Sequence, residues 1–206
     1  MAGSEQHARR QELAATDSAR AAQTRQRIVD ALDEVLRSGR DVSVAAVCAR
    51  AEVGRSTFYT HFASIGDVVA HVLDGVFDEI AARDIARRSG HAIGRRAITE
   101  AGLQELIAGL AAHQAFFTYA LSAHANEQVR QRLVRSFVVS IQASIRVEKP
   151  DADETFVQIA SEFLAGGIIG VLVESLASTG DRDPRSLVRV LVELLPAWMT
   201  DGEPSA

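Results

Sequence analysis

A chain of 206 residues, 47% of them apolar, can bury a sizeable core, and its single cysteine, Cys48, excludes an internal disulfide and points to the reducing cytosol. The formal charge of −5 is unusual for a nucleic-acid binder but unevenly placed: residues 1–65 hold nine Arg against eight Asp or Glu, and the remaining 13 basic residues face 19 acidic ones. No signal-peptide pattern opens the chain, and the longest apolar run, Phe163 to Val173, is far short of the roughly 20 residues of a membrane span, so neither export nor a membrane partner is expected.

Residues 1–19 are polar, alanine-rich and without apolar period, which predicts a flexible N-terminal arm. Ile28, Ala31, Leu32, Val35 and Leu36 then form the buried stripe of a first helix, from about Arg20 to Ser38, closed by Gly39. Residues 42–62 read as two short helices around a turn at Ala51-Glu52. Ser43 is placed to N-cap the first, whose stripe is Val44, Val47 and Cys48; on that face Cys48 is a small hydrophobe rather than a nucleophile. The second carries Arg55, Ser56, Thr57, Tyr59, Thr60 and His61, leaving Val53, Phe58 and Phe62 for the core. Short donors with an Arg and a Tyr, crowded on one exposed helix, are what reading a DNA groove requires, so the segment is expected to be a helix-turn-helix.

After Phe62, Ser64 with Asp67 forms a capping box and opens a long helix through Val68, Val69, Val72, Leu73, Val76, Phe77 and Ile80, to about Arg88. Ser89-Gly90-His91 break the pattern and mark a domain boundary. Beyond it, helices are expected near 96–112, 113–122, 126–148, 151–179 and 183–199, with no strand signal. Val129, Leu133, Phe137, Ile141 and Ile145 form one apolar seam, and Asp151 with Glu154 gives a second capping box after Lys149-Pro150. The next helix carries Phe156, Ile159, Ala160, Phe163, Leu164, Gly167, Val171 and Leu172; Gly166, Gly167 and Gly170 would let another helix approach closely, although each costs about 1 kcal/mol relative to alanine. Asp183-Pro184 opens the last, with Leu187, Val190, Leu191, Leu194, Leu195 and Trp198. Both helices are apolar over more than one face, and a second apolar face implies a partner.

Ser43, Val47, Cys48, Ala51, Val53, Thr57, Tyr59, His61, Phe62, Ser64 and Val68 stand in the register T-x-x-x-I-A-x-x-A-G-V-S-x-x-T-x-Y-x-H-F-x-S-K-x-x-L. Over about residues 20–75 the chain therefore resembles the DNA-binding domain of the TetR family of one-component transcriptional regulators. It departs at Glu52, where the family has a turn glycine, at Gly54, where it has a capping serine, and at Ile65, where it has a lysine pointing at a phosphate. The last departure leads us to expect fewer phosphate contacts and a shallower salt dependence.

The resemblance implies an all-α chain: the arm at 1–19, a three-helix helix-turn-helix DNA-binding domain at 20–66, and a helical effector-binding and dimerisation domain at 67–200. It places Arg55 and Ser56 at base edges and Ser43, Thr57, Tyr59 and His61 at phosphates of double-stranded operator DNA, with Val44, Gly54 and Thr60 beside them. It implies a homodimer through the last two helices, with Phe163, Gly167, Gly170, Val171, Glu174, Leu187, Leu191, Leu194 and Trp198 as candidate contacts. A small-molecule effector would bind in the second domain, where His113, Phe116, Phe117, Tyr119, His124, Phe137 and Phe163 are candidates to line an apolar pocket or, alternatively, to fill a dry core. The expected role is a cytoplasmic repressor released when an apolar or aromatic effector tilts the long helix; the alternatives are an activator, or a protein-protein adaptor without operator binding. No enzyme, metal or cofactor is expected: the six histidines have no metal-ligand spacing, Glu105, Glu127 and Glu162 form no evident carboxylate pair, and the glycines at 166, 167 and 170 lie in a helical pattern rather than after a strand.

Overall fold

The computed structural model describes residues 2–90, 93–122, 127–177 and 183–201. Among the described residues the chain consists of helices without a strand: α1 Ala2–Arg37, α2 Val44–Ala51, α3 Arg55–His61, α4 Ile65–Gly90, α5 Arg95–Ala112, α6 Gln114–Leu121, α7 Glu127–Glu148, α8 Glu154–Ala177, α9 Pro184–Leu194 and α10 Ala197–Thr200. They divide into two compact units, Met1–Val68 and Val69–Ala206, so that α4 begins in the first and continues into the second.

In the first unit α1 packs on α2 and α3. Ile28, Ala31, Leu32 and Val35 bury one stripe of α1, and Val47, Cys48, Ala51, Phe58 and Phe62 meet them in the core. Burying a side chain such as Phe58 contributes about 1.5–3 kcal/mol, so these few residues set the geometry of α2 and α3. The segment 1–19 differs from the expected arm: from Ala2 its backbone is helical and continuous with α1. It contains no proline, and its alanines favour helix without requiring an apolar face. The caps agree with the sequence reading. Ser43 Oγ accepts from Ala46 N at 3.2 Å, and at the start of α4 Ser64 Oγ accepts from Asp67 N at 3.2 Å while Asp67 Oδ2 accepts from Ala63 N at 3.0 Å.

In the second unit α7 packs along α8, α5 against α9 and α10, and α6 on α7. The rings of Phe77 on α4 and Phe137 on α7 lie 5.3 Å apart, inside a core that also takes Leu73, Leu106, Phe116, Phe117, Ile145 and Leu164. At Gly109 α5 packs closely on α4: a Cβ there would lie 2.9 Å from Val76 Cγ1, so alanine would force that side chain or the backbone to shift.

Two sequence expectations change here. The α8 cap is Asp153, whose Oδ1 accepts from Phe156 N at 2.8 Å, whereas Asp151 lies in the preceding turn. The last helix is not continuous to residue 199: it stops at Leu194 and resumes as α10, because Pro196 has no N–H to donate and disfavours helical backbone at Leu195. Among the described residues one helix segment, Glu154–Ser175, is long and apolar enough to cross a membrane by length and composition. Its apolar character has two sources, an inward side of Val157, Leu164, Ala165, Ile168 and Leu172 and an exposed stripe taken up below.

Candidate nucleic-acid interface and ligand cavity

The turn between α2 and α3 is built by three features. Glu52 adopts left-handed backbone, φ 54° and ψ 45°, and Val53 N donates to Cys48 O at 3.0 Å, a terminus that glycine would adopt without strain. From α1, Arg27 donates to the carbonyls of Ala51 and Glu52 and satisfies acceptors that the end of α2 leaves open. This clamp was not foreseen from sequence, since nothing in the spacing of residues 27 and 51 indicates it. Gly54 holds extended backbone and offers no side-chain cap to α3.

On α3, Phe58 is fully buried and turns the rest of the helix outward. Arg55, Ser56, Tyr59 and Thr60 are exposed, Tyr59 at 57%, and Thr57 and His61 are half-buried. Tyr59 is braced edge-on against Phe58 with centroids 5.5 Å apart, while Thr60 Oγ1 donates to Ser56 O within the helix. Ser43 is exposed, its oxygen occupied as a cap, and Val44 is half-buried. The Ile65 side chain is 9% exposed and belongs to the core, so it presents nothing to a phosphate.

The second unit carries an exposed apolar stripe on α8: Phe156, Ile159, Phe163 at 77%, then Gly166, Gly167 and Gly170, at the spacing of one helix face. A Cβ on any of these three glycines would meet nothing within 4 Å, so no neighbour among the described residues compensates their helix cost. On α9, Val190 and Leu194 are exposed, the latter at 72%, and Leu187 is half-buried. Of the candidate interface residues, Glu174 is exposed and Val171 half-buried, but Leu191 is 5% exposed and faces inward. Trp198 is half-buried on α10, its ring 6.0 Å from Phe156, with the Lys149 ammonium over both rings at 5.6 Å from Phe156 and 5.9 Å from Trp198.

A cavity of about 90 Å³ lies within the second unit, walled by Phe77, Ile80, Leu103, Leu106, Phe137 and Ile141 among others, with Asp84, Arg88, Thr99 and Ser144 forming a polar end. Of the candidate ligand residues it includes Phe137 alone. Phe116 and Phe117 are buried away from it, His113 joins α5 to α6, Tyr119 is half-buried, Phe163 points outward, and His124 lies outside the described residues.

The polar end was not legible in the sequence. Arg88, 4% exposed, donates through Nε to Asp84 Oδ2 at 2.7 Å, through Nη1 to Glu148 Oε1 at 2.7 Å, and through Nη2 to Thr99 Oγ1 at 3.2 Å. Arg95 Nε meets Glu148 Oε2 at 2.5 Å, Ser144 Oγ donates to Asp84 Oδ2 at 2.6 Å, and Thr99 Oγ1 donates to Met199 O at 2.9 Å. Burial opposes the charge on Arg88, but the hydrogen bonds and charges of Asp84 and Glu148 outweigh it and hold its pKa above the ordinary value. Four helices, α4, α5, α7 and α10, are thus joined by buried polar groups that compensate one another.

No family model matches this sequence, and no curated protein matches it. Solved structures do. The transcriptional regulator FadR of Bacillus subtilis, in complex with stearoyl-CoA, superposes with a TM-score of 0.62 at 15% identity, over 86% of this chain and 98% of that one. The multidrug binding protein EbrR, complexed with imidazole, gives 0.55 at 21% identity, over 84% and 94%. A protein of Mesorhizobium loti assigned to the TetR family of transcriptional regulators gives 0.55 at 17%, over 85% and 96%.

Proposed function

We propose that this chain, whose fold is that of the TetR-family transcriptional regulators, is a homodimeric DNA-binding regulator that leaves its operator when a small apolar molecule enters the second unit. The observation that carries this reading is α3 itself, a helix anchored by Phe58 and displaying Arg55, Ser56 and Tyr59 outward behind a strained turn that Arg27 holds in place. A helix that served only packing would not expose this set.

Arg55 and Ser56 read base edges, and Ser43, Thr57, Tyr59 and His61 hold phosphates. The near balance of nine Arg and eight acidic residues in 1–65, with Arg27, Arg37 and Arg50 engaged inside the unit, makes the electrostatic part of binding modest. The second copy covers the α8 and α9 stripes, which accounts for the open glycines and for Phe163 and Leu194 in water.

Neighbours of this fold hold small molecules, stearoyl-CoA in one case and imidazole in another, which supports reading the cavity as the place for an effector here. Its volume of about 90 Å³ is below the roughly 150 Å³ that accommodates benzene, so an effector larger than a few heavy atoms must widen it. Phe77 and Ile80, on its wall, belong to α4, the helix that begins in the first unit. Widening therefore biases α4 and, in a dimer, the spacing of two reading heads that must meet half-sites about 34–36 Å apart.

Gel retardation of a genomic fragment library, followed by sequencing of the bound fragments, tests the reading. Enrichment of sequences with two-fold symmetry is expected, and Arg55→Ala should lower the preference for them by about 1–3 kcal/mol at one base position while Tyr59→Phe weakens all DNA alike. Absence of any enriched sequence, or an equal effect of both variants on specific and random DNA, would refute it.

A further inference from the structure

The bonding pattern at the polar end of the cavity narrows the class of ligand. Asp84 is buried on its wall, and its Oδ2 is fully used by Arg88 and Ser144. Its Oδ1 accepts no hydrogen bond among the described residues. That oxygen lies 3.4 Å from the point where a Cβ on residue 102 would stand, and Gly102 lines the same cavity, so the missing side chain keeps the oxygen open.

Most of the donors nearby are already engaged. Each nitrogen of the Arg88 guanidinium has a partner, the Thr99 hydroxyl donates to Met199 O, the Ser144 hydroxyl to Asp84, and the Ser140 hydroxyl to Ser136 O. What the cavity offers a newcomer is chiefly an acceptor: the unshared carboxylate oxygen Asp84 Oδ1, with the lone pairs of the Ser140 and Ser144 hydroxyls beside it, in a mostly apolar wall. Charge points the same way. Asp84 and Arg88 on the wall, and Glu148 and Arg95 behind them, are balanced, so a carboxylate or phosphate would enter beside Asp84 with no cation free to receive it. A hydroxyl or a neutral amine would instead donate to that acceptor without adding charge to the balanced set.

We propose that the cavity selects an apolar molecule bearing one hydrogen-bond donor, a hydroxyl or an amine, seated on Asp84 Oδ1, and discriminates against anions. The inference rests on the reading of this cavity as the effector site. The test is binding of 1-pentanol, pentylamine, pentanoate and pentane to the full chain, by calorimetry and thermal shift, for the wild type and for Gly102→Ala. The alanine methyl would stand 3.4 Å from Oδ1 and replaces no member of the ion pairs. In the wild type the alcohol or the amine should bind at least tenfold tighter than pentane, with pentanoate weaker than both. Gly102→Ala should reduce that preference below threefold while melting as a folded protein. If pentanoate bound as tightly as pentanol, or Gly102→Ala kept the tenfold preference, the donor rule would be overturned and the effector site would stand. If pentane and all three polar probes failed to bind, the effector site itself would fall, and the donor rule with it.

Discussion

Arg88→Met is the most direct test of how the second unit is held together. The side chain is almost wholly enclosed and serves Asp84, Glu148 and Thr99 at once. Methionine retains much of the apolar stem but leaves Asp84, among the described residues, with the Ser144 hydrogen bond alone, while Glu148 keeps Arg95 at 2.5 Å. Removing one member of a buried ion pair costs about 3–5 kcal/mol, chiefly because the remaining charge stays desolvated. Arg95 relieves one of the two carboxylates, so a loss of about 3–4 kcal/mol is expected. With a urea slope of about 2 kcal/mol per molar, the midpoint should fall by about 1.5–2 M, measured by circular dichroism at fixed protomer concentration. Arg88→Met combined with Asp84→Leu should recover more than half of the loss, since the orphaned charge is then gone too. A single-variant shift below about 0.5 M, or a double variant no more stable than the single one, would show that charge compensation is not what the network supplies.

At the surface stripes, Phe163→Glu or Leu194→Glu should convert a sedimenting dimer to a folded monomer, whereas Leu191→Glu, placed in the core, should unfold the unit by about 3 kcal/mol or more; a tight dimer in both surface variants would move the interface elsewhere. Glu52→Gly should raise stability by up to about 1 kcal/mol, because relief of left-handed backbone exceeds the added chain entropy, and an unchanged melting temperature would contradict this. Ile65→Lys should destabilise the first unit by about 1–3 kcal/mol without steepening the salt dependence of DNA binding, and a slope larger by one unit would show that the position faces DNA after all. Glu105 is held below its ordinary pKa of 4.5 first by the hydrogen bond from Arg87 and then by Arg83. Its stabilisation is therefore complete above that range and lost as pH falls through the lowered value. Half-exposure limits it to about 0.5–1 kcal/mol, and a Glu105→Gln deficit that grew on acidification would refute the sign.

The sequence by itself determined what depends on near neighbours. The caps at Ser43, Ser64-Asp67 and Asp183 follow from a side chain reaching an amide two or three residues away, and the stripes of α1 and α7 follow from the helical period. The outward-facing set on α3 was legible for the same reason: once Phe58 and Phe62 are assigned inward, the 3.6-residue turn places Arg55, Ser56 and Tyr59 outward. The α9 break was also local, written in Leu195-Pro196, but an apolar period continuing to Trp198 masked it. Tertiary structure decided the rest. Periodicity marks a face as apolar without saying what covers it, so Leu191 proved to be core and Leu194 surface, Phe163 pointed outward, and Ile65 was drawn inside. The groups of the cavity's polar end come from residues 84, 88, 95, 99, 144 and 148, on three helices whose order in the chain carries no signal of their meeting. Charged side chains in apolar-patterned helices read locally as solvated; only the packing of α4, α5 and α7 encloses them, and enclosure is what makes their pairing obligatory.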